Sequence, residues 1–269
     1  MTESDERYTH GHHESVLRAH SWRTVENSAA YLIPELRAGA TILDVGSGPG
    51  TITIDLAQRV APGVVTGLDY SADAVARAQE NARQKGVENV KFVVGDAYNL
   101  PFEDDSFDIV HTHQTLQHVG RPVDVLREMR RVVKPGGVVA AREVDWAGII
   151  FYPELDALSR WQSLYDAVHR SNGGEPNAGR RLKAWAYEAG FTDVSGYASV
   201  WGMSSDEDRG WWGETWSQRV LSSSFASDVQ ELGLATVDDL EQLSKAWIDW
   251  RDDRTAWLAM PHGEILARP

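Results

Sequence analysis

The sequence contains no cysteine. This absence excludes disulfide bonds, thiolate zinc sites and cysteine nucleophiles. Basic residues are also scarce, since 26 Lys and Arg stand against 40 Asp and Glu and leave a formal net charge of -14. Nucleic acid and anionic membrane surfaces both attract basic patches, so neither is expected as the main partner. We expect a small molecule as the substrate.

Long apolar runs are missing as well. The first residues, MTESDERYTHGHHESV, lack the apolar core of a signal peptide, and no stretch is long enough to span a bilayer. We therefore expect no membrane insertion and a cytoplasmic location. The hydrophobic fraction of 42% is sufficient for a globular core in a chain of 269 residues. The sequence leaves the formation of a homo-oligomer open.

From Thr41 onward, short β-branched runs alternate with amphipathic helices, which is typical of βαβ units with helices on both faces of a sheet. The pattern therefore predicts a doubly wound, mostly parallel α/β fold. The predicted strands are Thr41–Val45, Val64–Leu68, Val90–Val94, Phe107–His111, Val138–Val144 and Thr192–Val200. A further strand is predicted near the end of the chain, with a bend at Pro261–Gly263.

Helical segments surround this pattern. A helix over Glu14–Leu36 precedes the first strand, and we assign residues 1–40 to an N-terminal helical lid and residues 41–269 to the main domain. Helical cap insertions are expected at about residues 150–190 and 205–250. Seven of the eleven tryptophans lie between Trp201 and Trp257, and we expect most of them to pack in the core and cap.

The stretch ILDVGSGPG places glycine at every second position after an apolar strand. Glycine permits a positive φ, so such a turn can bend sharply and let a ligand approach the backbone. The dinucleotide fingerprint is G-x-G-x-x-G, however, and Asp44 would stand where a pyrophosphate has to lie. No Lys-Ser or Lys-Thr pair follows, which argues against a P-loop. A nucleoside with a positive group fits better, and a plain strand-to-helix connection stays open.

Three carboxylates fall at the ends of successive predicted strands: Asp44, Asp69 and Asp96. Ligands of open parallel sheets bind beyond the carboxyl ends of the strands. Asp69 stands where a carboxylate can accept both hydroxyls of a ribose, and Asp96 could accept the amino group of an adenine. Each of these residues could also be a strand-end or capping residue. Together they favour a nucleoside site.

The chain resembles the class I S-adenosylmethionine-dependent methyltransferases, and in particular the ubiquinone and menaquinone C-methyltransferases. The resemblance lies in ILDVGSGPG, GLDYS, VGDAYNLPFEDDSFDIV and RVVKPGG, which match family motifs in order over about Thr41 to Asp145. It implies a seven-stranded, Rossmann-like sheet and S-adenosylmethionine as the cofactor. The weaker match AYEAGFTDV extends the resemblance to about Val194.

The resemblance also implies roles for individual residues. Gly46, Ser47 and Gly48 would pass along the methionine part of the cofactor, whose ammonium Asp44 would serve. Asp69, beside Tyr70, would hold the ribose, and Asp96 with the backbone of Ala97 would recognise the adenine. The remaining candidates for the cofactor pocket and its lid are His113, Gln114, Tyr8, Trp22 and Arg23.

The acceptor side is less defined. If the acceptor has to lose a proton, the candidate bases are His113, Glu143 and Asp145, whereas an activated carbon or a thioether needs no strong base. Glu143, Asp145 and Trp146 end the fifth strand and are candidates for acceptor binding. Both carboxylates could instead be paired with cations such as Arg142. Aromatic side chains of the cap would suit a flat apolar acceptor or a cationic amine.

The segment HTHQTLQHV raises a metal alternative because it contains His111, His113 and His118. No cysteine or assigned acid completes such a site, so no metal is expected and His118 is interpreted as structural. His10, His12 and His13 are assigned to the lid.

Three functions compete on this evidence. The leading prediction is a methyltransferase that acts on a small-molecule acceptor by in-line transfer, which requires alignment and exclusion of water. A quinone-type C-methyltransferase is the alternative within that class. A catalytically silent S-adenosylmethionine-binding regulatory or scaffold protein is the alternative outside it. A nicotinamide oxidoreductase is disfavoured by the glycine spacing.

Overall fold

A computed structural model describes residues 22–269 of the chain. The strands in this part are β1 (Ile42–Val45), β2 (Val65–Asp69), β3 (Val90–Val94), β4 (Phe107–His113), β5 (Val133–Val144), β6 (Ile150–Tyr152), β7 (Asp193–Met203) and β8 (Trp257–Arg268). The α-helices are α1 (Val25–Ser28), α2 (Thr51–Val60), α3 (Ala72–Lys85), α4 (Pro122–Val132), α5 (Asp156–Ser171), α6 (Leu182–Glu188), α7 (Asp206–Ser222), α8 (Ser224–Glu231) and α9 (Val237–Asp252). Short 3-10 turns cover Ala30–Glu35, Leu116–His118, Trp146–Gly148 and Ala178–Arg181.

The strands form one sheet in the order β3-β2-β1-β4-β5-β8-β6, and β7 pairs with the other edge of β8. The first five strands are parallel, whereas β8 runs antiparallel to β5, β6 and β7. The predicted mostly parallel α/β sheet is therefore confirmed, with β6 as a short strand beyond the seven expected. The order reverses between β1 and β4, and ligands of such sheets bind at the carboxyl ends of the strands at this switch point.

Both faces of the sheet are covered by helices. On one face, Leu32 and Leu56 pack against Ile42 and Ile109. On the other face, helices α4 and α6 pack their apolar side chains against Leu43 and its neighbours. Adjacent strand residues point to opposite faces, so consecutive apolar residues in β1 serve both cores. This arrangement confirms the doubly wound prediction and leaves the carboxyl edge of the sheet for the site.

A third core lies in the helical cap formed by α5, α7, α8 and α9. Trp161, Trp216, Trp247 and Trp250 are completely buried there, and the rings of Trp161 and Trp216 lie 4.6 Å apart. The tryptophans of the last third pack mainly inside this cap core, as the sequence predicts. Helix α6 belongs to the core under the sheet instead, although it lies within the first predicted insertion.

Two local predictions are wrong. The predicted helix over Glu14–Leu36 is not continuous where the chain is described, because helix α1 ends at Ser28 and the next turn is a 3-10 helix that contains Pro34. The predicted bend at Pro261 is absent from β8. Pro261 lies between the residues that pair with β6 and those that pair with β5, so its missing N–H costs no bond on that side.

Candidate active site at the carboxyl edge of the sheet

The glycine turn after β1 is held by backbone bonds to the neighbouring strand. The amides of Gly46 and Ser47 both donate to the carbonyl of Leu68, at 2.8 and 3.0 Å. Gly46 has a φ of +74°, and a Cβ built there would lie 2.1 Å from Thr115 Oγ1. The hydroxyl oxygen of Ser47 is buried and has no hydrogen-bond partner. The turn thus combines a close backbone approach with an unused polar atom.

Asp69 at the end of β2 orients the same turn. One carboxylate oxygen accepts the amide of Gly48 at 2.8 Å, and the other accepts the amide of Ser71 at 2.9 Å. Each carboxylate oxygen has a second lone pair, so Asp69 can still accept two hydroxyl donors. Tyr70 beside it is 83% exposed. These features fit the ribose role that the sequence assigns to Asp69.

Asp96 follows β3 in an exposed turn. One of its oxygens accepts the amide of Tyr98 at 2.9 Å, which fixes the carboxylate beside half-buried Ala97. The arrangement leaves acceptor capacity at Asp96 for an amino group. The glycine turn, Asp69 and Asp96 therefore lie at the ends of three adjacent strands and fit a nucleoside whose other end is zwitterionic. We call these residues the cofactor edge.

Asp44 differs from the other two carboxylates because it is buried. Its oxygens accept Thr53 Oγ1 at 2.5 Å and His111 Nδ1 at 2.8 Å. Asp44 thereby joins β1 to β4 and to the first turn of α2. Its contact with the ammonium of the cofactor stays a prediction.

His113 ends β4 in a group of aromatic and basic side chains. Its Nε2 accepts a hydrogen bond from Arg142 Nη1 at 2.9 Å, because a guanidinium only donates. Neutral His113 therefore carries its proton on Nδ1, which is buried and has no partner. Burial, followed by the charges of Arg23 and Arg142, holds the pKa of His113 well below its ordinary value.

Gln114 and His262 lie beside this histidine. Gln114 has a φ of +51°, an uncommon conformation for a residue other than glycine. Its Oε1 accepts a hydrogen bond from Arg23 Nη2 at 2.7 Å, and its Nε2 lies 2.9 Å from His262 Nε2. His262 donates from Nδ1 to the carbonyl of Met260 at 3.0 Å, so its Nε2 accepts from Gln114.

The indole of Trp201 lies among these groups. Its ring centre is 4.4 Å from that of His262 and 5.7 Å from that of His113. The guanidinium carbons of Arg142 and Arg23 lie 4.7 and 5.7 Å from the indole centre. We define the Trp201 cluster by six residues: Arg23, His113, Gln114, Arg142, Trp201 and His262.

The predicted lid reaches this cluster in part. Trp22 packs edge-on against Trp201 at 5.1 Å and is stacked on Trp211 at 5.3 Å. Arg23 contacts Gln114 as described above. Tyr8, His10, His12 and His13 lie outside the described residues, so their assignment to the lid stays a prediction.

Glu143 is fully buried and holds the turn after β4. Its Oε1 accepts the amides of Thr115 and Leu116 at 2.8 and 2.7 Å, and its Oε2 accepts that of Gln117 at 3.3 Å. Burial raises the pKa of Glu143 to about 8, while the three amides favour the charged form. The contacts fit a positioning residue, and its roles as a base and in acceptor binding stay predictions.

Asp145 and Trp146 also have partners within the protein. Asp145 accepts two bonds from the Arg180 guanidinium, at 2.6 and 2.5 Å, so its cationic partner is Arg180 rather than Arg142. Trp146 is 5% exposed, packs against Tyr165 at 3.9 Å, and donates to Gln117 Oε1 at 3.2 Å. Their contacts with an acceptor stay predictions.

The three histidines of HTHQTLQHV diverge. His111 faces Asp44, His113 faces Arg142, and His118 is stacked on His169 at 4.9 Å. Within residues 22–269, no group of three His, Cys, Asp or Glu side chains is arranged to hold a metal ion. Over the same residues, no helix is both long and apolar enough to cross a membrane.

Sequence reasoning missed three members of this site. The sequence indicates Arg142 only as a partner for the carboxylates, Trp201 only as packing, and His262 only as part of a bend. Arg142 is 1% exposed and forms an ion pair with Glu264 at 3.0 Å. The available signal was a charged residue within each of two apolar strands, Arg142 in β5 and Glu264 in β8. Charges buried in this way require a partner.

The comparisons with known proteins agree with this geometry. A family model described as a methyltransferase domain matches residues 36–190. The chain is 34% identical to an uncharacterized methyltransferase of Schizosaccharomyces pombe, over 96% of this chain and 95% of that protein. It is 35% identical to the demethylmenaquinone methyltransferase of Staphylococcus aureus, over 59% of this chain and 70% of that protein.

The fold has solved counterparts as well. The YcgJ protein from Bacillus subtilis superposes with a TM-score of 0.58 and 21% identity, over 89% of this chain and 97% of that one. The matches cover the glycine turn, the strand-end carboxylates and most of the sheet. The chain thus belongs to the S-adenosylmethionine-dependent methyltransferases.

Proposed function

We propose that this chain transfers the methyl group of S-adenosylmethionine to a small-molecule acceptor held between the carboxyl edge of the sheet and the helical cap. The observation that supports this most directly is the contact between Asp69 and the Gly48 amide. This hydrogen bond joins the glycine turn to the carboxylate that is expected to bind the ribose, at the switch point of the sheet.

The cofactor edge provides the expected binding groups. The backbone of Gly46, Ser47 and Gly48 would face the methionine part, and the unused Ser47 hydroxyl is available to a polar group there. Asp69 would accept the ribose hydroxyls, and Asp96 with Ala97 would contact the adenine. The bound cofactor supplies an electrophilic methyl group on a sulfonium.

The remaining residues align the acceptor and exclude water, the main demands of in-line transfer. Glu143 fixes the turn that follows β4, and the positive φ of Gln114 directs its side chain between Arg23 and His262. Trp22 and Arg23 connect the segment before β1 to Trp201. These contacts support a lid within residues 1–40 and a cap built from the later helices.

We propose further that the protein is cytoplasmic and that neither nucleic acid nor a membrane is its main partner. The net charge of -14 supports the second point, because it repels polyanions.

Calorimetric binding of S-adenosylmethionine and S-adenosylhomocysteine tests the site. The wild-type chain is expected to bind both and not NAD, and Asp69→Asn is expected to lose at least about tenfold in affinity, roughly 1.4 kcal/mol. Asp73→Asn, an exposed carboxylate in the first turn of α3, is the matched control and is expected to bind normally. Equal affinity of the two variants would overturn the ribose assignment.

A quinone-type acceptor is the second candidate, favoured by the 35% identity to a demethylmenaquinone methyltransferase. Transfer of labelled methyl from the cofactor to reduced demethylmenaquinone, compared with water-soluble hydroxyaromatic compounds, distinguishes the two. Label on the quinol alone would favour the quinone-type function. Cofactor binding without transfer to any acceptor would favour the silent binding protein.

A further inference from the structure

The Trp201 cluster is built from segments that are distant in sequence. Arg23 and Gln114 are separated by 91 residues, and Gln114 and His262 by 148. The cluster lies at the ends of β4 and β5, opposite the glycine turn across the switch point, because Val45 pairs with Thr112 and His113 with Arg142. This position is next to the expected sulfonium end of the cofactor.

The Trp201 cluster contains two guanidinium groups, those of Arg23 and Arg142. The pKa of His113 is lowered first by burial and then by the charges of Arg23 and Arg142. The pKa of His262 is likewise lowered by burial and by Arg142, with Arg23 acting in the same direction. The Glu264 carboxylate pairs with Arg142 at 3.0 Å and offsets part of this positive charge.

The face of Trp201 is therefore unsuited to a cation. The guanidinium groups of Arg142 and Arg23 already lie 4.7 and 5.7 Å from its ring centre. A cationic amine placed there would be repelled by two positive charges that already lie against this ring. The structure thus disfavours one of the two acceptor classes that the tryptophans suggested.

The cluster also offers unused hydrogen-bond donors. His113 is 5% exposed, and its protonated Nδ1 has no partner. The bonds of Arg142 to other described residues use Nε and Nη1, which leaves the two protons of Nη2 without an acceptor in residues 22–269. Donors in a positive, aromatic environment match an oxygen anion on a conjugated ring.

The candidate bases are all engaged by protein donors. Glu143 accepts three amides and Asp145 accepts the Arg180 guanidinium, and each keeps one lone pair, on Oε2 and Oδ1, but neither residue belongs to the Trp201 cluster. A general base needs a free lone pair directed at the proton that it removes. Within the cluster the basic nitrogens of His113 and His262 accept from Arg142 and Gln114, so neither has one. The site is therefore better arranged to bind an acceptor that has already lost its proton.

We propose that the acceptor is a hydroxylated aromatic compound bound as its phenolate, with the oxygen anion held by Arg142 and His113 beside Trp201. This inference rests on the proposed methyltransferase function. The phenol releases its proton to solvent before it binds. A lone pair of the phenolate oxygen then forms the bond to the methyl carbon as the methyl–sulfur bond breaks and its electron pair returns to sulfur, so no protein base takes part.

The pH dependence of kcat/KM tests the proposal with two probes, 2-naphthol and 1-nitro-2-naphthol, whose own pKa values differ widely. A phenolate substrate makes the rise in kcat/KM follow the pKa of each naphthol. A break at the same pH for both naphthols would assign the proton to a protein base and overturn the proposal. Faster transfer to 2-naphthylamine, or failure of both naphthols to bind the S-adenosylhomocysteine complex, would also overturn it.

Variants locate the anion site. Arg142→Met combined with Glu264→Gln removes the guanidinium without leaving an unpaired buried carboxylate, and it is expected to weaken naphtholate binding at least tenfold. Arg142→Lys, which keeps the charge, is expected to recover part of that loss. Arg251→Met removes a guanidinium paired with Glu214 in the cap and is the matched control.

Calorimetric binding of S-adenosylhomocysteine distinguishes failure of the anion site from failure of the proposed methyltransferase function. The Arg142 and Glu264 variants are expected to bind it like the wild type. Normal cofactor binding with unchanged naphtholate affinity would reject the anion site alone. Absence of S-adenosylhomocysteine binding by the wild-type chain would reject the proposed function itself.

Discussion

The cofactor edge and the Trp201 cluster face each other across the switch point, yet they are built differently. The cofactor edge uses short-range contacts such as the bond between Gly48 and Asp69, which are 21 residues apart. The Trp201 cluster joins strands and the lid segment over much longer separations, as in the pair of Gln114 and His262, which are 148 residues apart. This difference fits a shared fold on which specificity resides in added elements.

The cap core makes the comparison sharper, because it stabilises the acceptor side without contributing to the cofactor edge. Trp247 is completely buried, and its ring lies 4.8 Å from that of Trp161. Trp247→Ala is therefore expected to lower the free energy of unfolding by about 3–5 kcal/mol. The measurement is urea unfolding, with S-adenosylhomocysteine affinity determined on the folded protein and expected to stay unchanged.

Trp257→Ala is the control for that change, since Trp257 lies in β8 with 40% of its surface exposed. It is expected to lose much less stability. Equal losses from the two substitutions would mean that the cap tryptophans do not form a separate core.

The glycine turn gives the next largest effect, and on binding rather than on the cap. Gly46→Ala introduces a Cβ into the side chain of Thr115 at a φ of +74°. We expect the affinity for S-adenosylhomocysteine to fall about a hundredfold, roughly 2.8 kcal/mol, as measured by calorimetry. Gly210→Ala in α7 is the control, because a Cβ there meets nothing within 4 Å. A Gly46→Ala variant with normal affinity would remove the turn from the binding site.

The two regions also differ in how far the sequence predicts them. The glycine spacing and the carboxylates at strand ends are local features, so the fold and the position of Asp69 follow from the sequence alone. Arg142, Trp201 and His262 could not be assigned in that way, because nothing near them in sequence indicates that β7 and β8 bring them beside His113. The break after Ser28 was missed for a related reason: helical periodicity continues through Ala29, whereas the backbone there does not.

Asp108 at the amino edge of the sheet provides a contrast with the carboxyl edge, since its contacts are purely structural. Although partial burial opposes it, the amide and hydroxyl of Thr41 and the ammonium of Lys134 lower the pKa of Asp108 to about 2, from an ordinary value of 3.8. A lowered pKa in the folded state contributes stability that is present above pH 3.8 and lost as the pH falls through about 2.

Asp108→Asn is accordingly expected to cost about 2 kcal/mol near neutral pH and almost nothing in strong acid. Thermal unfolding as a function of pH measures this, with cofactor affinity unaffected. Asp104→Asn, at a carboxylate that is 73% exposed, is expected to stay within about 0.5 kcal/mol of the wild type. A pH-independent loss in the Asp108 variant would indicate that shape rather than charge matters there.

Glu143 decides whether the acceptor side contains a protein base, and here the smallest effect is expected. In Glu143→Gln the amide oxygen can still accept the N–H groups of Thr115 and Leu116, and only the longer bond to Gln117 is lost. If Glu143 only positions the turn, the kcat of this variant is expected within about tenfold of the wild type, since one modest hydrogen bond contributes about 1 kcal/mol. Removal of a general base would instead lower kcat by about 10²–10⁴-fold. Single-turnover transfer of labelled methyl measures the difference. A loss in the larger range would identify Glu143 as the base that removes the proton of the acceptor and would contradict binding of the acceptor as a phenolate.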